Sequence, residues 1–490
     1  MTADISCLSS RFLKRRYFSK GLVTLSIFTG LTDFAKAQNN FRSDTILHKE
    51  IYHPQQYYVC SPNVAYCNAW NAEKYIPQKP LDNVHFPIGK MFTLSFPKER
   101  PTLSLNDQPL SFAFGMLLQF DLGGSLGPDD PERSTRMSGI MNFLRRARFI
   151  TITRYKKFEL TASADPGYAG RSTESLFQLD VAYTGFRNTR VELGLTQPRV
   201  GMDDAEANGG SQFLERPAII DMIRGIAGAQ TRLGFGATHW EKRSYVQAFV
   251  TGPQFGDRKN FQKNQIGAVL RVAGRPWFTK DNDLHLGLSS SMAFHGNNRI
   301  YSLSSLPEMT LWQQRHYLKT GAIKNVNNIV QAGPEIGFRW KRWVLKSEYS
   351  LIHLNRGHSD SEPQRDLNFR GYYIAINRTL FGQPRLYDIK RAVFDQPFAA
   401  LFNPATGDWG ALECSGRWSV IDLNNHPGEN GGIRGGKQTV WSAGINWYPS
   451  SHMRLMLEFN HIIVSRSNKN SHNLYGGTNN LIGSRLQVNF

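Results

Sequence analysis

The last six residues, Arg485-Leu486-Gln487-Val488-Asn489-Phe490, alternate polar and apolar and stop on an aromatic ring. Strand side chains point to opposite faces with a period of two. Leu486, Val488 and Phe490 therefore share one face, and Arg485, Gln487 and Asn489 the other. That fits the wall of a transmembrane barrel, with lipid outside and a polar lumen inside. It also fits the terminal strand of a soluble sandwich, because short alternations are common.

The N-terminus tips the balance toward the barrel. Arg11, Lys14, Arg15, Arg16 and Lys20 precede an apolar run, Gly21-Leu22-Val23-Thr24-Leu25-Ser26-Ile27-Phe28, and Ala35-Lys36-Ala37 follows with small residues in an A-x-A spacing. Basic, apolar and small-residue regions in that order read as a secretory signal peptide cleaved after Ala37. The apolar run is too short for a comfortable membrane anchor, and Cys7 lies too far from the cleavage point for a lipoprotein. No later segment offers some 18 consecutive apolar residues, so no transmembrane helix is expected. Hydrophobic residues make up 40% of the chain and aromatics 12%. A polar lumen dilutes the apolar share, and aromatic girdles raise the aromatic one.

The formal net charge is +19. A basic excess in an exported protein points to anionic partners such as lipopolysaccharide, small ions and other anionic solutes. Nucleic acid is not expected, since the basic residues are dispersed and no binding motif occurs. Cys60 and Cys67 are close enough in sequence to form a disulfide in an oxidising compartment. Cys414 is left over, on an apolar strand face. No fourth ligand stands at a zinc spacing, so no metal site is expected.

Residues 38–110 are Pro-, Asn- and Gln-rich and weakly periodic. They read as an N-terminal extension, periplasmic or lumenal, with a hairpin around Met91–Phe96. From 111 to 490 strand-like runs recur between turn-formers. Sixteen are expected, near 111–122, 143–153, 156–165, 174–185, 189–197, 228–239, 243–254, 264–274, 284–295, 334–341, 343–355, 368–379, 410–422, 438–447, 452–465 and 479–490. An even number suits a single-chain antiparallel barrel with both termini in the periplasm. Counting back from Phe490, the short turns near 154–155, 186–188, 341–342 and 448–452 fall on one rim. The long stretches 198–227, 296–333 and 423–437 fall on the other, as barrels of this class require. Segment 380–409 is the anomaly, being long on the short-turn rim.

Charges follow the alternation. Leu455, Leu457 and Phe459 alternate with Arg454, Met456, Glu458 and Asn460, and Leu412, Cys414, Trp418 and Val420 with Glu413, Ser415, Arg417 and Ser419. An Arg or Lys facing lipid at the midplane costs roughly 2–4 kcal/mol, so the charged set, Arg417 included, is expected to face the lumen.

Several blocks, in order over roughly 111–490, resemble the phosphate-selective porin O/P family. They are Leu144-Arg145-Arg146-Ala147-Arg148, Val181–Phe186, Phe213-Leu214-Glu215-Arg216, Gly382-Gln383-Pro384-Arg385-Leu386-Tyr387 with Phe394, Gly410–Leu423 and Gly444-Ile445-Asn446-Trp447-Tyr448-Pro449. The resemblance implies a 16-stranded homotrimeric porin in the outer membrane of a Gram-negative bacterium. It also places the anomalous 380–409 segment in the periplasm. In the phosphate channels of that family, a loop after the fifth strand folds inward and brings lysines to the constriction. Here that stretch carries Asp203, Asp204 and Glu206 and no lysine, so it reads either as a solvated outer tip or as a constriction loop without phosphate preference. Arg145, Arg146 and Arg216 carry over as candidates for contact with permeating anions. Adjacent residues on a strand face opposite ways, so one of Arg145 and Arg146 must point inward or both must lie near an interface.

No HExxH, GxSxG elbow or P-loop occurs, and neither a cofactor nor an enzymatic activity is expected. The expected function is passive diffusion of small, mainly anionic solutes such as phosphate, with selectivity for phosphate itself left open. The alternative is a plugged barrel serving as a structural protein, adhesin or receptor.

Overall fold

A computed structural model describes residues 84–490 apart from 97–99, 127–139, 168–175, 208, 229–230, 256–264, 310–316, 358–364 and 468–473. The expected signal peptide, the Cys60–Cys67 pair and the first part of the extension lie outside the described residues. Nineteen strands form one antiparallel sheet. The first three are a meander, β1 (Val84–Ile88), β2 (Phe92–Phe96) and β3 (Thr102–Leu105).

The other sixteen close into a barrel. In chain order they are β4 (Leu110–Ser125), β5 (Met141–Tyr155), β6 (Phe158–Ala164), β7 (Leu176–Tyr183) and β8 (Thr189–Thr196). Next come β9 (Arg232–Trp240), β10 (Ser244–Gln254), β11 (Ile266–Phe278), β12 (Asn282–Tyr301), β13 (Ile323–Trp340) and β14 (Trp343–Arg356). The last five are β15 (Leu367–Phe381), β16 (Ala411–Asn425), β17 (Ile433–Ser450), β18 (Met453–Ser467) and β19 (Leu474–Asn489). Each strand pairs with the next, and β19 closes the ring on β4, from Leu481↔Ser125 to Asn489↔Leu117. Beyond the end of β19, β3 takes over the same edge of β4 through Thr102↔Ala113 and Ser104↔Ser111. The expected hairpin is thus a ledge that continues the wall past Phe490.

Closure leaves the strand period to sort the side chains. Leu455, Leu457, Phe459 and Leu486 are exposed, whereas Arg454, Met456, Glu458, Asn460 and Arg485 are buried inside. Exposed leucines, isoleucines, valines and phenylalanines form an outer belt, which suits a lipid surround. Aromatic residues gather on the short-turn rim: Trp340 and Trp409 are exposed, and Phe402 packs edge-on against Trp409 and Trp447. Cys414 is a free thiol, half-buried on the outer face.

Rim geometry follows the expected alternation, with two corrections. The stretch expected as an outer loop at 296–333 is largely strand. β12 runs on to Tyr301 and β13 starts at Ile323, because each supplies the other's hydrogen-bonding edge. Likewise β16 and β17 extend into 423–437 and leave only a short connection after Asn425. Both misreadings trace to Asn- and Gly-rich sequence that looks like loop until a neighbour pairs with it.

Two connections on the long-loop rim turn inward. Residues 197–231 carry a one-turn helix, α1 (Met202–Ala205), and α2 (Ala218–Ala227), which is buried around most of its circumference. Residues 302–322 hold a two-residue pairing, Ser304–Ser305 with Leu318–Lys319. Ile219, Ile220, Ile223 and Ile226 of α2, with Leu303, Met309 and Leu318, share one apolar cluster with wall residues such as Ile352, Phe369 and Val440. Gly371 on β15 makes room, for a Cβ there would stand 2.7 Å from Ile219 Cγ1. From the opposite rim, the anomalous segment also folds in, and Val393 and Phe394 pack against Met202 and Ala205.

Candidate functional site

The inward loop is fastened at nearly every turn. Once drawn out of water, its backbone groups each need a partner, and the lumen face of the wall supplies them together with the 380–409 segment and the second inward loop. Glu348 of β14 accepts the N–H groups of Met202 and Asp203 at 3.0 and 2.7 Å. Gly201, at φ 90°, lies so close to this carboxylate that a Cβ would collide with it. Arg385 donates to the Gly210 carbonyl at 2.8 Å, Arg454 to Ser211 at 2.6 Å, Arg485 to Leu214 at 2.7 Å and Arg417 to Glu215 at 2.8 Å. Glu308, from the second inward loop, accepts the Ala218 N–H at 2.7 Å and the Ser419 hydroxyl at 2.6 Å, and pairs with Arg417 at 2.7 Å. This carboxylate caps the first residue of α2, where the helix dipole favours negative charge.

The question posed by Arg145 and Arg146 is answered by a β-bulge. β4 and β5 slip register so that Gln119 faces Arg146 while Phe120 faces Leu144. The extra residue breaks the alternation. Leu144 and Phe149 face out, and both arginines face in. Arg145 grips Glu215 with two bonds, at 2.7 and 3.0 Å. Arg146 shares Asp165 with Arg148, at 3.3 and 3.1 Å. Arg146 also lines a small hollow with Gln119, Ser211, Glu215, Arg216 and Arg485.

The other sequence candidates lie deeper. Arg216 binds the backbone carbonyls of Asp203, Asp204 and Glu206 at 3.1–3.3 Å, closing α1 back on its own loop. Arg417 is buried and stacks 4.2 Å over the Phe213 ring, so it holds the loop rather than lining open water.

The three loop acids point inward and are all compensated. Asp204 pairs with Arg224, Arg199 and Arg216. Burial pushes its carboxyl up, but the three arginines outweigh burial and hold it below the ordinary value. Asp203 and Glu206 share Lys346 of β14, at 3.5 and 2.6 Å. Glu206 lies above its ordinary value, because burial and then Asp203 raise it against the pull of Lys346. At Glu215 burial is outweighed by Arg145, then Arg485 and Arg146, so its carboxyl sits well below the usual range.

The inward loops do not cover the wall evenly. α2 touches strands from β10 round to β16, and the fastenings of residues 210–215 reach on to β19. On β5 to β8 part of the lumen face keeps contact with solvent: the side chains of Arg154, Arg190 and Glu192 are 40%, 21% and 15% exposed, while Thr161, Ser163, Asp180 and Thr196 on the same face are buried. Lys346, Glu348, Glu308 and this charged strip were not singled out from sequence. A usable signal was there for those on strands, in charges at every second position between outward apolar residues such as Leu345 and Tyr349.

Residues 131–490 match the family described as phosphate-selective porin O and P. The chain belongs to that family. It is therefore an outer-membrane β-barrel protein of a Gram-negative bacterium. It is 22% identical to Porin O of Pseudomonas aeruginosa over 377 residues, 72% of this chain and 83% of that one. It is 25% identical over 291 residues to an uncharacterised protein of Caulobacter vibrioides, covering 55% of this chain and about half (52%) of that relative's length. Among solved structures, OmpT of Vibrio cholerae is similar at 11% identity and a TM-score of 0.45, covering 78% of this chain and 98% of that one. The anion-selective porin of Comamonas acidovorans is similar at 9% identity and a TM-score of 0.44, covering 78% of this chain and all (100%) of that one.

Proposed function

We propose that the chain is a diffusion pore for small hydrophilic solutes whose water path runs off-centre, along the lumen face of β5 to β8. The one-sided packing of the inward loops carries this reading, since it fills the lumen from β10 to β16 and leaves the β5–β8 wall wet. Arg145 and Arg146, turned inward together, would meet the anionic groups of solutes without any proton chemistry, because guanidinium stays charged. Phosphate preference is not expected. Among the described residues, the lysine that pairs with the inward loop, Lys346, is committed to Asp203 and Glu206. The strongly positive net charge does not argue for an anion filter, because Lys156, Lys157, Lys242, Arg243, Lys280 and Lys341 are exposed on the short-turn rim.

That rim is read as periplasmic, with both termini and the β1–β3 ledge. The long-loop rim would meet lipopolysaccharide, and the working assembly is a homotrimer. The apolar cluster inside the barrel favours a second reading, a plugged barrel acting as a structural protein, adhesin or receptor. Single-channel recording of the purified protein in planar bilayers separates the two. Stepwise conductance in KCl is expected, and a protein that inserts but never conducts refutes the pore. Micromolar phosphate is expected to leave the current unchanged.

A further inference from the structure

The solvent-facing wall has a charge pattern of its own. Phe158, Leu160, Leu179, Val181 and Leu193 are exposed on the outer face. By alternation, Arg154, Glu159, Asp180, Arg190 and Glu192 share the lumen face. They form one continuous ladder across four strands. Arg154 Nε donates to Glu159 Oε2 at 2.9 Å. Arg190 reaches Glu159 as well, Asp180 at 3.1 Å and Glu192 at 2.9 Å. Farther along the path, Arg146 and Arg148 share Asp165, Arg145 holds Glu215, and Arg199 stands 3.9 Å from Asp204. Each of these arginines has a carboxylate within 4 Å, from its own strand, the neighbouring strand or the inward loop.

Such a wall treats solutes by charge arrangement rather than by net charge. A bare anion is drawn to the arginines and repelled by the carboxylates beside them, and a cation meets the reverse. A molecule carrying both charges a few ångströms apart can engage both at once, replacing the water it sheds in the narrow path. We propose that the pore favours small zwitterions, molecules with a carboxylate and an ammonium group of which amino acids are the simplest class, and that Glu159 and Glu192 are the residues that set this preference. The inference rests on the reading of the chain as a pore.

The test uses the full-length mature protein in planar bilayers and in liposomes. Wild type is expected to conduct, with a reversal potential near zero in a KCl gradient. In liposome swelling, β-alanine is expected to enter about two- to fivefold faster than lactamide, its uncharged counterpart of equal mass, the advantage that an exposed ion pair confers. The Glu159→Gln/Glu192→Gln variant should become anion-selective and lose the β-alanine advantage. The Arg154→Gln/Arg190→Gln variant should become cation-selective and lose it too, so the two variants check each other's folding. Conducting wild type with strong anion selectivity, or with equal rates for β-alanine and lactamide, overturns the zwitterion inference and leaves the pore standing. Wild type that inserts without conducting overturns both.

Discussion

On the side from β10 to β16, lumen-facing side chains such as Ile352, Phe369 and Ile421 are buried against α2 and the 302–322 loop, as in the core of a soluble domain. On the side from β5 to β8, the corresponding positions hold arginines and carboxylates, of which Arg154, Arg190 and Glu192 remain in contact with water. The outer faces of both sides are alike, since lipid demands the same apolar pattern everywhere. The difference teaches that the lumen of this barrel is two environments. One half gains stability by burying apolar surface. The other leaves some of its charged side chains, Arg154 and Arg190 among them, in contact with solvent.

The strongest way to break this contrast is to spoil the packed half. Ile220→Asp combined with Ile223→Asp would place two carboxylates among buried isoleucines. Burying unpaired charge is so unfavourable that the helix should leave its seat rather than accept them. Single-channel conductance should rise several-fold and become noisy, and the thermal unfolding temperature should fall. On the wet half, Arg154→Gln should change stability by less than about 1 kcal/mol, because exposed ion pairs contribute little. Equal stability losses in the two variants would mean that the halves do not differ as described.

A smaller effect is expected from a single fastening. Glu308 joins the two inward loops to the wall, and Glu308→Ala would leave Arg417 buried beside an uncapped helix. Removing one partner of a buried pair costs roughly 3–5 kcal/mol. Chemical denaturation of the detergent-solubilised protein should show that loss, with a flickering current in bilayers. A variant as stable and as quiet as wild type would show that the loop does not depend on this carboxylate.

The outer half of this design was legible in the sequence, and the inner half was not. Leu455, Leu457 and Phe459 had only lipid to satisfy, and a period of two records that demand directly. The lumen has no such uniform demand. Ile352 and Leu354 face inward on β14, where Lys346 and Glu348 also face inward, and nothing local says which of them a distant loop will cover. The inward course of Asp203, Asp204 and Glu206 came from family resemblance. Arg199, Arg216 and Arg224, which compensate Asp204, lie in the same loop but meet it only through the loop's own folding, and Lys346 stands 140 residues from Glu206. The Arg145–Arg146 pair failed for a different reason. Strict alternation allowed one inward arginine, and only the slip against Gln119 and Phe120 shows that a bulge admits both.

Both inward arginines also sharpen the comparison, at a magnitude that leaves the fold intact. Arg145→Ala/Arg146→Ala should uncover Glu215 and weaken the hold on Asp165. The reversal potential should then move toward cation selectivity with little change in conductance. Arg485, 3.1 Å from Glu215, keeps that carboxylate partly paired, so the shift should be modest. An unchanged reversal potential would remove these arginines from the solute path.

The finest comparison sets one glycine of the packed lumen against one of the outer face. Gly371 stands under α2, and an added Cβ would meet Ile219 atoms at 2.7–2.9 Å. Gly416, in β16 and beside Ile376 on the lipid side, would place its Cβ 3.6 Å from the nearest atom, an ordinary contact. Alanine also narrows the unfolded chain, a gain of about 0.4–1 kcal/mol where the backbone permits it. Gly416→Ala should therefore be neutral or slightly stabilising. Gly371→Ala must push Ile219 aside, an overpacking that typically costs about 1–3 kcal/mol and exceeds the gain. The two denaturation midpoints should move in opposite directions or differ clearly. If they coincide, α2 sits loosely enough to yield by several tenths of an ångström, and the packed half is less like a protein core than its buried isoleucines imply.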